Sequence, residues 1–598
     1  MTADVEEAEV AQAPEARKSG PRGSWQGLVD YYGFHTGSGA WFFVGWIEAL
    51  YIPPNSAASV EVRVDFETGT LTGPGTITYF HRPDLGERGS GIVLHLPSPG
   101  RFMGRLIWLD VTTGEQVAGM TVPGDCQHLR GVDVGTRVFA ELSHAGGATD
   151  SRAILLERLA RKGFTGEDTL AALTDVVQLE LDAAIACPGE GVVLMGWMAA
   201  DAPPAVRLRA GARAAAMTEA NTLRIARPDV VGALGAGRAE MECGFITYLA
   251  LPPSGTDPFY LEVETTRGEI GYKPVAVQAL GGIEAIRRVL SGFDLRYDQL
   301  ATGFDAVIGP AVRALNAERM ARRPRVGIVT LGAPPPAPRH SVIVPLYRRI
   351  DFLEYQAALF ARHGLEDTEL IYVLDDPDKR RELEALAVSV HARFGIALRL
   401  ALLDRNMGFA PANNVGLAQA RGKFVCFMNS DVFPDTLGWL DALAARLDAD
   451  PKLGAVGPLL VFENGTVQHQ GIEYERLAEF GNWTFPLHPR KGMKPRAETK
   501  LLPAAAITAA CMMLRRAEAD ELGGFDEDYV IGDFEDSDLC RRLAARGLGC
   551  AVDPAVRLYH LERRSQVGAA QRWRMNMTLY NAWLHQNRWF ASSADHHG

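Results

Sequence analysis

The chain has 598 residues, 47% hydrophobic and 22% charged, with a formal net charge of -12. That length exceeds what one core organises and predicts three or more domains. The acidic balance argues against bulk attraction to nucleic acid or an anionic membrane, and seven scattered cysteines without a C-x-x-C pair argue against a disulfide frame or a zinc site.

Residues 1–24 are acidic, rich in Ala, Pro and Gly, and lack an apolar stretch; they read as a disordered tail rather than a signal peptide. No apolar run reaches the roughly 18 residues of a membrane span. The longest candidate, LPAAAITAACMML from Leu502, falls short.

The first half repeats itself. AWFFVGWIE around Gly45–Trp46 returns as VVLMGWMAA around Gly196–Trp197. HRPDL at Arg82 returns as ARPDV at Arg227, and SGIVLHLPSPG returns as CGFITYLALPPSG, at offsets of 151, 145 and about 153 residues. Each copy consists of short alternating runs divided by Gly, Pro and Asn clusters, the pattern of a β-sandwich or barrel. Trp46 and Trp197 lie within apolar runs and are expected in the core. Each copy ends in a helical segment with apolar residues three and four apart, broken near Gly163–Phe164 and Gly292–Phe293. The expected plan is a sandwich at 25–148, helices at 149–176, a second sandwich at 177–277, helices at 278–322 and a Pro-rich linker at 323–339.

From residue 340 the texture changes. SVIVPLY, TELIYVLDD, IALRLALLD and KFVCFMNSD read as strands, separated by the helical stretches DFLEYQAALFARHG, KRRELEALAVSVHARFG and APANNVGLAQARG. Alternating strands and helices predict a mostly parallel sheet covered on both faces, with ligands bound beyond the C-terminal strand ends. Tyr347, Asp375–Asp376, Asp404–Asn406 and Asn429–Asp431 stand there. A P-loop, a G-x-G-x-x-G after the first strand, H-E-x-x-H and G-x-S-x-G are all absent.

Eight pieces in order resemble a family 2 glycosyltransferase of GT-A fold: SVIVPLY, YVLDDPD, NMGFAPANNVG, FMNSDV, GAVGPLLVFENGTVQHQG, AACMMLRR, GGFDEDYVIGDFEDSDLCRR and YHLERRS. The fold class is thus multidomain, with a GT-A (Rossmann-like) domain over 340–598 after two repeated sandwich-plus-helix modules. The resemblance implies an inverting transfer of sugar from a nucleoside-diphosphate donor to a hydroxyl of a glycan or glycolipid, as in bacterial surface polysaccharide synthesis. It implies a Mn2+ or Mg2+ cofactor held by Asp431 and His560, and a general base at Asp536. It assigns donor contacts to Pro345, Tyr347, Asp375, Asn406, Gly408, Asn414, Asn429, Ser430, His469 and Glu535.

Each assignment has a plainer counterpart. Asp375 can cap the helix that follows, Asn406 can serve a turn, and Glu535 and Asp538 can merely stabilise a helix start. His469 can belong to a hairpin, and Arg541 is expected to pair with a nearby acid. HPRKGMKPR (488–496) is irregular, either a solvated loop or a lid. Asn429 stands where many such enzymes carry a carboxylate, so metal binding without the diphosphate is expected to be weak.

A competing reading makes the domain a degenerate binder of nucleotide sugar or glycan, with the sandwiches as interaction modules. Retention of Asp431, Asp536 and His560 together argues against it. A nucleotidyltransferase would need a glycine-rich basic loop, and PLYRRIDFLEY has no glycine. The expected location is the cytoplasm, with peripheral association at the inner membrane face.

Overall fold

The computed structural model describes residues 25–561 and 571–591, apart from short segments at 36, 50–58, 98–103, 114–115, 130–131, 145–149, 161–162, 212, 235–240, 254–256, 295–298 and 364. The expected tail at 1–24 lies outside these. The chain forms two compact units, the first of Met1–Gln178, Ala200–Met217 and Ser254–Ala276, the second of Leu179–Ala199, Thr218–Pro253 and Val277–Gly598.

In the first unit the opening repeat is a closed barrel, where the sequence suggested a sandwich. Strands Ala40–Glu48, Gly89–Pro97, Gly69–Phe80, Ser59–Phe66, Leu106–Thr113, Gln116–Thr121 and Trp25–His35 pair in that order. Trp25–His35 pairs back onto Ala40–Glu48 and closes the ring. Alternation cannot distinguish the two architectures; closure removes the unpaired edges a sandwich leaves. Val29, Trp41, Phe43, Leu94 and Met120 fill one core. Phe42, Val44 and Val93, on the opposite strand faces, pack with Val134, Val138 and Leu155 of helices Val132–His144 and Asp150–Ala160. This helical segment therefore begins at 132 rather than 149; the strands need a second apolar cover because both faces of Ala40–Glu48 are apolar.

The second repeat forms two four-stranded sheets: Thr222–Ile225, Gly244–Leu249, Gly191–Ala200 and Val177–Cys187 in one, Arg213–Ala216, Ala205–Ala210, Phe259–Glu264 and Ile270–Val275 in the other. The duplication holds at the level of register. Trp46 pairs with Gly91 and Trp197 with Gly244. A Cβ at Gly45 would stand 2.0 Å from the Leu28 carbonyl oxygen, and one at Gly196 2.1 Å from that of Glu180. Arg82 bridges Asp30 and Asp84 as Arg227 bridges Asp182 and Asp229. Trp46 and Trp197 are only half-buried. The glycine before each turns against the neighbouring backbone, so the tryptophan faces the other way.

The second unit revises the expected boundary at 340. Helix Gly282–Ser291 ends at Gly292, and Leu300–Ala321 runs on through a π-helical turn at Phe304–Ile308. Ile286, Phe304 and Leu315 from these helices share one core with Val193 and Ile246 of the repeat, with Tyr529, and with Tyr580 and Trp583 of helix Gln571–Trp589. Val326–Leu331, expected as linker, is an antiparallel edge strand beside Leu398–Leu403. Its alternating VGIVTL can add to the sheet, since it lies between Pro324 and the proline run that starts at Pro334.

The large sheet runs Val326–Leu331, Leu398–Leu403, Thr368–Leu374, His340–Leu346, Phe424–Met428, Cys511–Arg515, Leu453–Val461, Gly549–His560 and Val432–Pro434. The three pairings from Leu398–Leu403 to Phe424–Met428 are parallel, as the alternation predicts. Buried rows such as TELIYVL mark strands covered on both faces. All seven cysteines are free thiols, six of them buried. Among the described residues no helix is long and apolar enough to cross a membrane.

Candidate active site

The strand Thr368–Leu374 delivers Asp375 to the C-terminal sheet edge, where it is 4% exposed. Its Oδ1 accepts the Met407 N–H at 2.6 Å, and its Oδ2 accepts the Gly408 N–H at 2.7 Å and Asn406 Nδ2 at 2.8 Å. Burial pushes its pKa up to about 7, opposed by those N–H groups and by the Arg319 charge. Asp375 and Asn406 thus face one another and shape the 406–408 turn. Gly408 has φ +91, and a Cβ there would stand 3.0 Å from the Ile531 backbone, so the turn needs glycine. Tyr347, 41% exposed, and Asp376, which accepts the Arg348 N–H at 3.2 Å, remain at the surface of this edge. Pro345 sits half-buried on the first strand, opposite Val373.

Asn414 meets the 525–527 segment. Its amide donates to the Phe525 carbonyl at 2.8 Å and Glu527 Oε1 at 3.0 Å, and its oxygen accepts the Phe525 N–H at 2.8 Å. It staples helix Phe409–Gln419 to the GGFDED segment, a role its helical position disguises in sequence.

The 429–431 turn follows strand Phe424–Met428. Gln356, fully buried, donates to the carbonyls of Asn429 at 2.9 Å and Val432 at 3.0 Å. Val432 pairs with His560 across antiparallel strands. That register sets His560 Nε2 3.4 Å from Asp431 Oδ1, both side chains 8% exposed. Asp431 and His560, distant in sequence, are adjacent in space. In the same turn Ser430 is buried and Asn429 half-buried. His560 Nδ1 has no hydrogen-bond partner among the described residues. One carboxylate oxygen and one imidazole nitrogen at this spacing suit two ligands of a single Mn2+-type cation. Among the described residues no group of three or more His, Cys, Asp or Glu is arranged to hold a metal, so the remaining ligands would have to be oxygens from elsewhere.

Asp536 is the second residue of the helix Glu535–Ala545, which follows Ile531, Asp533 and Phe534, three residues at positive φ. Such backbone costs energy and persists where the surroundings hold it. Asn581 of helix Gln571–Trp589 supplies that hold: its amide accepts the Val530 N–H at 2.9 Å and donates to the carbonyls of Val530 and Gly532. The Asp536 carboxylate accepts the N–H of Ser537 at 2.7 Å and of Ala509 at 3.3 Å. Burial raises its pKa, and those N–H groups and the Thr508 side chain oppose the rise. Glu535 is 6% exposed with Oε2 unpartnered among the described residues; burial, then the Asp536 charge, raise its pKa well above the carboxylate range. Asp538 is a structural acid. Burial raises it, but Arg542 and Arg588 pull it below its ordinary value, and Trp589 and Tyr529 also donate to it. Arg541 lies over the rings of Tyr474, Trp589 and Phe590, where an ion pair was expected.

His469 is a brace. It is 1% exposed, and its Nε2 accepts the N–H of Gly471 and of Thr508, each at 3.3 Å. Its Nδ1 therefore carries the proton and donates to His488 Nδ1 at 2.9 Å. Burial, then the charges of His488 and His560, hold its pKa well down. The 488–496 loop is irregular, as expected, and is tied down where Val467 N–H donates to Met493 and Gly492 N–H to Val467. Thr508–Ala510 gathers the site: Thr508 meets His469, Ala509 holds Asp536, and Ala510 accepts the Asn429 N–H at 2.9 Å.

The sequence model of the family described as Glycosyl transferase family 2 matches residues 341–523. The C-terminal part of the chain holds a family 2 glycosyltransferase domain. The chain is 30% identical over 299 aligned residues to the O-antigen biosynthesis protein RfbC of Myxococcus xanthus, an alignment covering 47% of this chain and 23% of that protein. It is 27% identical to the N-acetylglucosaminyl-diphospho-decaprenol L-rhamnosyltransferase of Mycobacterium tuberculosis (strain CDC 1551 / Oshkosh), over 28% of this chain and 60% of that one. The chain thus spans less than two thirds of either relative. Among solved structures, a mannosyltransferase from Pyrobaculum calidifontis in complex with GDP-Man and Mn2+ aligns with 49% of this chain and 76% of its own, at 20% identity and a TM-score of 0.30. Asp536, His560, Asn581 and Arg588 lie beyond the matched stretch.

Proposed function

We propose that this chain is an inverting glycosyltransferase, moving a sugar from a nucleoside-diphosphate donor to a hydroxyl of a glycan or glycolipid in surface polysaccharide synthesis. The observation that carries the reading is the convergence on Thr508–Ala510 of the Asn429–Asp431 turn and the Asp536 carboxylate. Asp536 takes the proton of the acceptor hydroxyl as its oxygen attacks the anomeric carbon. The bond from that carbon to the diphosphate breaks, and its electron pair leaves with the nucleoside diphosphate. A base raised toward the working pH suits this task. Burial raises Asp536, and its N–H partners keep it fixed in orientation. Burial and the Asp536 charge raise Glu535, which favours its protonated form, and its Oε2, without a partner among the described residues, is free to offer an O–H to a sugar oxygen.

Asp431 and His560 would hold the divalent cation, which supplies charge neutralisation for the departing diphosphate. Asn429 offers at most a neutral carbonyl oxygen, so cation affinity in the absence of diphosphate is low. Tyr347 and Asp376 form the exposed rim for the nucleoside, with Asp375 and Asn406 shaping the turn behind it. Binding of UDP, dTDP and GDP, each titrated with and without Mn2+, tests the reading. Metal-dependent binding of at least one is expected; binding of none refutes it.

A further inference from the structure

Two side chains on helix Gly309–Ala321, outside the family match, reach both halves of the site. Asn316 and Arg319 are three residues apart and share a helix face; they are 1% and 5% exposed. Arg319 Nη1 donates to the Met407 carbonyl at 3.0 Å, and the Met407 N–H in turn holds Asp375 at 2.6 Å. Arg319 Nε donates to Asn316 Oδ1 at 3.1 Å. Asn316 Nδ2 donates to the carbonyls of Glu527 at 3.0 Å and Asp528 at 3.4 Å. A single chain of hydrogen bonds therefore joins the 406–408 turn to the segment that runs on to Asp536.

Arg319 Nη2 has no partner among the described residues, and burial lowers the guanidinium pKa to about 10 although Asp375 and Glu527 favour the charge. A buried, incompletely paired cation is poor material for stability alone. We infer that Asn316 and Arg319 are positioning residues that hold the donor-side turn and the base-side turn in one register, making the helix after the second repeat a working part of the site. This rests on the glycosyl-transfer reading.

Three variants of the full chain separate the two attachments. Asn316→Asp keeps the acceptor for Arg319 Nε and removes the donor to Glu527 and Asp528. Arg319→Gln removes the charge, and Arg319→Lys restores it. The measurements are calorimetric Kd for UDP, dTDP and GDP with Mn2+, nucleoside diphosphate release from UDP-glucose, UDP-N-acetylglucosamine, dTDP-rhamnose and GDP-mannose, and Tm. Losing one buried hydrogen bond or charge contact predicts a change of about tenfold. Arg319→Gln should weaken nucleotide Kd by about that factor, with Arg319→Lys recovering part of it. Asn316→Asp should leave Kd within about twofold and lower kcat by about tenfold. Wild-type-like values in all three variants overturn the inference, as does a parallel loss of nucleotide affinity, kcat and Tm, which marks a plain folding role. A wild-type chain that binds none of the nucleotides overturns the glycosyl-transfer reading and this inference with it; binding unaffected by the substitutions overturns this inference alone.

Discussion

Asp375 is held for its shape at the expense of its charge, and the substitution Asp375→Asn exposes that. Folding moves its pKa from 3.8 to about 7 because burial disfavours the ionised form more than the turn amides and Arg319 favour it. Asp376 adds a like charge from the same strand end. The sign follows from linkage: a carboxyl raised on folding contributes stability while protonated, and that contribution is lost as pH rises from about 4 to about 7. Between pH 5 and pH 8 the loss is about 3 kcal/mol. The asparagine variant has no such slope. It also turns an amide N–H toward the Gly408 or Met407 N–H, which costs about 1–3 kcal/mol at every pH. Relative to wild type, the variant should therefore gain about 3 kcal/mol more at pH 8 than at pH 5, roughly 5 °C in Tm for a unit of this size. Nucleotide affinity should fall at both pH values as the 406–408 turn loosens. Thermal melts at pH 5 and pH 8 with a nucleotide titration measure both. An equal Tm change at the two pH values would refute the buried-charge account of this turn.

Asp536→Asn should lower turnover by about 10²–10⁴-fold with nucleotide Kd nearly unchanged; equal loss of binding would remove Asp536 from the base role. Gly45→Ala and Gly196→Ala should each destabilise their own unit by several kcal/mol, since a Cβ would meet a carbonyl oxygen at 2.0 and 2.1 Å; denaturant titration with probes in each unit checks this, and a wild-type midpoint for either speaks against the shared register. Truncation is informative because the sequence alone bounds the C-terminal domain at 340–598. The structure predicts that this fragment aggregates, having lost Val326–Leu331 and the Gly309–Ala321 helix, while 177–598 stays folded; size-exclusion chromatography and circular dichroism compare them.

Local pattern made several features legible. The alternation of strands and helices after residue 340, the duplicated Gly-Trp and Arg-Pro-Asp motifs, and the acidic helix start at Glu535–Asp536 all depend on neighbours close in sequence. The pairing of Asp431 with His560 came from resemblance, and the Val432–His560 register brings those side chains together. Other assignments were legible as polar residues near the right edge but not in their orientation. Asn414 and His469 turned out to brace loops, because each finds backbone partners brought in from more than a hundred and about forty residues away, respectively.

Sequence alone determined the repeat, the parallel sheet and the identity of the acids at its edge, since periodicity and short motifs encode them. Only tertiary structure decided that the first repeat closes into a barrel, since alternation is the same in open and closed sheets. It also decided that Gln356, Arg319, Asn316 and Asn581 hold the site loops. Nothing local marks those four residues; their roles exist only where a buried donor meets a carbonyl that the fold has left without a regular partner.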